Sequence, residues 1–425
     1  MDDRVPVLQG DVVIENGKLA QVGGSAASNM WDEMVDGSGL VAIPGLVQAH
    51  IHLTQTLFRN RADDLELMDW LRQRIWPFEA AHTEETSRAS ARLGLAELVN
   101  GGTTAILDMG TVRHHEAVFV AAEESGLRYT GGKAMMDVAA DGVPANLREA
   151  TQASLDESAA LAARWHGKAG GRLRYAYAPR FVVTCTDELL RECAVRAKAL
   201  GTPVHVHSSE NRAEIELVRA RTKHGNIEWL EQLGVLGAPA AVAHCVHLDE
   251  GDEGRLQRAG ASAVHCPSSN LKLASGIAPV PRLLAAGVNV ALGADGAPCN
   301  NNLDAFQEMR LAALLQKPVH GPRAMPAMSV LRLATRGGAK ALGLENEIGS
   351  LETGKRADLA LLDLAQLASA PWNDVVSAIV YAARPENVKH VLVDGVFLKR
   401  DFRLQRVEAR EVVATARRAM EGMRA

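Results

Sequence analysis

Between residues 40 and 296 the chain repeats one alternation: a short apolar run, then a stretch with helical spacing. The runs are "LVAIPGLVQAHIHL" (40–53), "TTAILDMG" (103–110), "YTGGKAMM" (129–136) and "RYAYAPRF" (174–181), followed by "PVHVHSS" (203–209), "AAVAHCVHL" (240–248), "SAVHCPSS" (262–269) and "NVALGADG" (289–296). Helical stretches such as "ETSRASARLGLAELVNG" (85–101) and "DELLRECAVRAKALG" (187–201) separate them, and each closes on the glycine that helix C-termini favour. Eight strands with helical spacers in one continuous region predict an α/β fold, a (β/α)8 TIM barrel. A doubly wound sheet is the alternative for the same alternation.

The flanks read differently. "DVVIENGKLAQVGG" (11–24) alternates around an Asn-Gly pair and predicts a β-hairpin. Near the other end, "GSLETGKRADLALLDL" (349–364) and "VKHVLVDGVFLKR" (388–400) show strand runs broken by glycine turns, and an Arg-rich helical tail follows from about 404. A chain of 425 residues can hold two or three domains, although barrels alone exceed about 250 residues. The expected division is a barrel over 45–347, with a small β-sandwich and C-terminal helix built from 1–44 plus 348–425.

Polar residues collect where the predicted strands end. His50 and His52 stand two apart in the first run, so a strand points both imidazoles to one face. His207 ends the fifth run with Glu210 three residues on, His244 lies late in the sixth, and Asp295 ends the eighth. Catalytic groups of a barrel gather at this C-terminal face. Apolar runs that finish repeatedly in His, Asp or Glu are costly to bury uncompensated, and a divalent cation compensates them. Three imidazoles and a carboxylate suit Zn²⁺, with Fe²⁺ as the alternative, and leave a position open for water. His205 shares a face with His207 but lies deeper, as packing or backing for the ligands. Asp108, at the end of the second run, is a candidate support. His247 and His265 read as structural; His82, His114, His115, His166, His224, His320 and His390 read as solvated.

The net charge of −5 gives no basic face for nucleic acid or anionic membrane. No apolar window approaches a membrane span, and no basic-then-apolar leader opens the chain. The five cysteines (Cys185, Cys193, Cys245, Cys266, Cys299) are scattered and never CxxC, as expected for reduced thiols in a cytoplasmic protein.

Together "PGLVQAHIHL", "HSSEN", "AHCVH", "HCPSSNLKLASG" and "LGADGAPCNNNLD" resemble the amidohydrolase superfamily, in its aminohydrolase/chlorohydrolase branch. "GSLETGKRADLALLDL" is similar to that family's returning sandwich segment. The resemblance implies His50, His52, His207 and Asp295 as ligands of one divalent metal per chain. It gives Glu210 as proton shuttle and His244 as the residue that orients or polarises the hydrolytic water. The implied reaction is attack of activated water on the ring carbon bearing an amine, with Asp295 taking the water's proton, Glu210 protonating the adjacent ring nitrogen, and ammonia leaving. No lysine stands in "RYAYAPRF" to bridge two metals, which favours one. A homo-oligomer, dimer or larger, is the implied assembly. The family opens with a strand before the segment equivalent to "DDRVPVL", which this chain lacks, so its sandwich is expected to be one strand short.

For substrate, "RADDLELMDWLRQRIWPFE" (61–79) resembles the deaminases of S-adenosylhomocysteine, methylthioadenosine and 5′-deoxyadenosine. Those carry a His after the strand-4 "AP", where this chain has Arg180 and Phe181; with Gln55 this resembles guanine deaminase. Gln55 offers donor and acceptor and Arg180 only donors, which suits a ring carrying a carbonyl. The plainer reading pairs Arg180 with a carboxylate such as Asp137 and makes Gln55 a helix cap. Trp70, Trp76, Phe181 and Asn301 are further candidates for the pocket wall. The expected ligand is therefore a small amino-substituted purine-like ring. Triazine aminohydrolase or chlorohydrolase chemistry and a non-catalytic binding barrel are the alternatives.

Overall fold

The computed structural model describes residues 7–26, 31–237 and 239–423. The chain start, where the missing sandwich strand was expected, lies partly outside them. Eight parallel strands carry the centre: β1 (Leu46–Ile51), β2 (Thr103–Met109), β3 (Arg128–Gly132), β4 (Leu173–Tyr175), β5 (Val204–Ser208), β6 (Ala240–His244), β7 (Ser262–His265) and β8 (Asn289–Leu292). They form two four-stranded sheets, β1 to β4 and β5 to β8, each in chain order and parallel throughout. Isolated parallel bridges, Tyr177 to Val204 and Ile51 to Asp295, link the two sheets at both edges. The molecule is thus α/β with parallel sheets. Strands covered on both faces must be apolar along their whole length, and β1, β2 and β6 are buried at every position.

The run at 40–53, read from sequence as one strand, is two. Leu40–Pro44 pairs antiparallel with Leu359–Asp363, whereas Leu46–Ile51 begins the parallel sheet. The break falls at Gly45, where a Cβ would meet Thr104 Oγ1 at 2.0 Å, so only glycine lets the chain cross there. Leu40–Pro44 joins Leu359–Asp363, Val388–Val393, Val396–Arg400 and Arg403–Leu404 in a five-stranded antiparallel sheet. The expected hairpin forms as Val12–Glu15 and Lys18–Val22, turning through Asn16 and Gly17, both at positive φ. Of 349–364 only Leu359–Asp363 is strand, and the C-terminal helix runs Ala409–Gly422.

The helices at 84–100 and 187–200 start where Thr83 and Thr186 cap their first turns and stop at Gly101 and Gly201. A buried arginine shared by two carboxylates ties the antiparallel sheet to the parallel strands. Arg128 at the start of β3 donates to both Asp358 oxygens (2.8 and 3.0 Å) and to Asp394 (2.6 Å).

Candidate active site

His50 of β1, His52 just beyond it, His207 of β5, His244 of β6 and Asp295 just beyond β8 converge at the C-terminal ends of the strands. His50 Nε2 and His52 Nε2 lie 3.3 and 3.4 Å from Asp295 Oδ1. His52 Nε2 lies 3.1 Å from His207 Nε2. Gly293 makes this approach possible, because a Cβ there would lie 2.6 Å from the His50 carbonyl oxygen. Ser209, His244, Cys245 and Asp295 all take positive φ, a local strain that residues at functional strand ends sustain when their surroundings hold them.

Hydrogen bonding fixes which ring nitrogens are bare. His52 Nδ1 lies 2.7 Å from the Met109 carbonyl and His207 Nδ1 lies 2.8 Å from the Arg180 carbonyl. A carbonyl only accepts, so each Nδ1 carries the proton and each neutral ring turns an Nε2 lone pair inward. Two lone pairs then face each other at 3.1 Å. His50 Nε2, buried, makes no hydrogen bond. Burial disfavours protonation as the remedy, holding His52 down to about 3 and His207 well below the ordinary histidine value. His50 with His52 and Asp295, and His50 with His207 and His244, each bring ligand atoms within 4.8 Å of one another. A cation of the Zn²⁺ or Fe²⁺ type fits this donor set, because it accepts the lone pairs of nitrogens that otherwise repel.

The carboxylates flank this cluster. Asp295 is buried, with its Oδ1 beside the His50 and His52 Nε2 atoms. Its Oδ2 accepts from Ser269 Oγ at 2.6 Å. Burial pushes Glu210 up to about 7 against the lowering effect of His244. His244 Nε2 stands 3.4 Å from Glu210 Oε2 and 3.9 Å from Asp295 Oδ2, while its Nδ1 meets Asn270 Oδ1 at 2.9 Å. Against its burial, Glu210 and Asp295 raise His244 above the ordinary histidine value.

Gln55, Trp70, Arg180 and Phe181 line a cavity of about 30 Å³ in front of His52, His207 and Glu210. Asn301 and Trp76 are not part of its wall. Asn301 is engaged at the rim by Asn60 and Lys272, and Trp76 is packed in the core. Arg180 does pair with a carboxylate, but not with Asp137, which is taken up by Thr151 and Thr186. The partner is Glu79, whose two oxygens accept from Arg180 Nη1 (2.6 Å) and Nη2 (3.2 Å), and from Gln55 Nε2 (2.9 Å). Gln55 is therefore bound to Glu79 and caps no helix; its Oε1 is buried without a partner. Sequence reasoning passed over Glu79. The signal was a lone carboxylate in the apolar stretch "IWPFEA". Three histidines read as solvated are buried: His82 against Thr86 and Thr54, His115 against Tyr129, and His390 in the antiparallel sheet. All five cysteines are buried and unbridged. No helix among the described residues is long and apolar enough to cross a membrane.

The amidohydrolase family model matches residues 41–398. A 5-methylthioadenosine/S-adenosylhomocysteine deaminase of Moorella thermoacetica is 40% identical over 420 residues, covering 98% of this chain and 96% of its own. A 5′-deoxyadenosine deaminase of Methanothermobacter thermautotrophicus is 40% identical over 414 residues, covering 97% and 94%. The crystal structure of an adenosine deaminase from Xanthomonas campestris with bound zinc superposes with a TM-score of 0.87 at 32% identity, over 97% of this chain and 93% of that one.

Proposed function

The chain belongs to the amidohydrolase family, and from that membership we propose that it is a metal-dependent hydrolytic deaminase of amino-substituted purine-like rings. The observation that carries this reading is the convergence of the inward Nε2 lone pairs of His52 and His207 with the unbonded His50 Nε2 and the Asp295 carboxylate. These four residues would hold one divalent cation per chain, Zn²⁺ or alternatively Fe²⁺. A single ion fits: Lys133, the buried lysine beyond β3, is engaged by Glu149 and Glu157 rather than offered to a second metal. When bound, such a cation acts as a Lewis acid and brings the pKa of water to about 7.

The chain's own groups supply the proton traffic. Asp295 Oδ2, on the His244 side, takes a proton from the attacking water. Glu210, poised near neutrality, holds a proton and delivers it to the ring nitrogen beside the attacked carbon, so that charge does not build on the ring. His244, with Nδ1 oriented by Asn270, donates from Nε2 to the oxygen that gains negative charge. Asp295 passes the water's first proton to the exocyclic amine, which leaves as ammonia, and the proton of the added hydroxyl returns to Glu210 as the ring carbonyl forms.

The relatives support a 5′-deoxyadenosine- or S-adenosylhomocysteine-type nucleoside as substrate. A second reading, a guanine-type base, is favoured by Arg180 and Gln55 in the cavity wall, where Gln55 Oε1 has no hydrogen-bond partner. We read the two bridged parallel sheets as a closed (β/α)8 barrel over 45–347, and 1–44 plus 348–425 as a sandwich domain with a C-terminal helix. A cytoplasmic homo-oligomer accords with the buried free thiols and the family resemblance. The test is ammonia release from 5′-deoxyadenosine, S-adenosylhomocysteine, guanine and a hydroxy-triazine, on protein of measured metal content. Release from a purine at about one metal per chain is expected. Fully loaded protein inert on all four overturns the proposal.

A further inference from the structure

The three imidazoles that face the centre are held from behind in two ways. His52 and His207 each donate from Nδ1 to a backbone carbonyl, which fixes the tautomer outright. His50 is different: its Nδ1 lies 2.6 Å from Nε2 of another histidine, the fully buried His205. Either nitrogen can own the proton between them. If His205 Nε2 owns it, neutral His50 carries its own proton on Nε2, pointing at Asp295, and has no lone pair for a cation. If His50 Nδ1 owns it, His50 Nε2 is bare, and neutral His205 carries its proton on Nδ1, which is buried and makes no other hydrogen bond.

On the metal-centre reading above, we propose that His205 is a positioning residue that accepts from His50 Nδ1 and so holds His50 in the tautomer able to bind the cation. Asp108, beside this pair of rings at the end of β2, is anchored on both sides. Its Oδ1 accepts from the backbone N–H of Leu53, directly after His52, and its Oδ2 accepts from Tyr129 Oη, both at 2.8 Å. Tyr129 Oη in turn lies 3.1 Å from His115 Nε2. The end of β2 thus clips the chain around the metal-facing histidines twice: Asp108 Oδ1 to Leu53 and the Met109 carbonyl to His52. Partners behind metal-bound histidines typically control affinity by 10–100-fold when removed.

The experiment measures Zn²⁺ affinity by competition with a coloured chelator for the wild type, His205→Gln and His205→Met. The glutamine side-chain oxygen can accept from His50 Nδ1; methionine fills the space without a comparable acceptor. The expected result is binding roughly 10–100-fold weaker in His205→Met and close to wild type in His205→Gln, with metal-free melting temperatures of the two variants alike. Equal affinity of His205→Met and wild type overturns the proposal. So does equal weakening in both variants, which would mean that only the ring's packing matters. A wild type that binds no stoichiometric Zn²⁺ overturns instead the metal-centre reading on which this rests.

Discussion

The Glu79–Arg180 pair offers the sharpest quantitative test of how the cavity wall is built. Both side chains are nearly inaccessible, at 1% and 3% exposure, and they meet through two hydrogen bonds. Truncating one partner of a buried pair strands the other charge, at a cost of about 3–5 kcal/mol. Glu79→Leu leaves the guanidinium uncompensated and also removes the acceptor of Gln55 Nε2. With an unfolding entropy of about 2.1 cal/mol/K per residue, a 425-residue chain melting in one step shifts by roughly 1 °C per kcal/mol. Glu79→Leu and Arg180→Met are therefore each expected to lower Tm by about 3–5 °C. The double variant removes both charges and recovers most of that loss, short of the roughly 1–3 kcal/mol for a Gln55 amide left without its acceptor. The assay is circular-dichroism melting of the zinc-loaded proteins at one concentration. Single variants within a degree of wild type, or a double variant showing the sum of both losses, would refute the argument that the pair is closed on itself.

Four further outcomes are expected. Glu210→Gln keeps its metal content, but turnover drops by about 10²–10⁴-fold as the proton shuttle is lost; near-normal turnover would remove Glu210 from that role. Chelation abolishes activity and lowers Tm, because a cation at about a thousand times its Kd stabilises the folded chain by roughly 4 kcal/mol; an unchanged Tm argues against a metal bound by the folded state. Arg180→Met loses guanine turnover and keeps 5′-deoxyadenosine turnover if the oxo-purine reading is right; the reverse pattern rejects it. Glu308, buried against Ser268 and Asn300, is pushed up to about 8 by burial, from an ordinary 4.5. The folded chain therefore keeps a proton that the unfolded chain gives up, and stability falls as pH rises from about 4.5 to 8. Glu308→Gln should flatten that part of the Tm–pH curve, and an unchanged slope would show that Glu308 does not cause it.

What could be read in advance was whatever repeats at short range. The parity of His50 and His52 comes from the pleat alone, the strand-end positions of His207, His244 and Asp295 come from counting apolar runs, and the helix stops at Gly101 and Gly201 come from chain conformation at one residue. What could not be read depends on partners far along the chain. Nothing near Gly45 in sequence reveals that Thr104 crowds it, so two strands of opposite allegiance looked like one apolar run. His82 sits in a helical context that resembles a solvated one, until Thr54 presents a carbonyl 28 residues away. Arg180 is the most consequential case. As an isolated cation in a pocket wall it argues for a carbonyl-bearing substrate, whereas bonded to Glu79 it is already neutralised, with two of its nitrogens committed. The same side chain thus supports different substrates according to a carboxylate 101 positions earlier. On the oxo-purine reading, Gln55, Glu79 and Arg180 would act on substrate as one hydrogen-bonded group, and only variants that perturb its members singly and together can separate recognition from support.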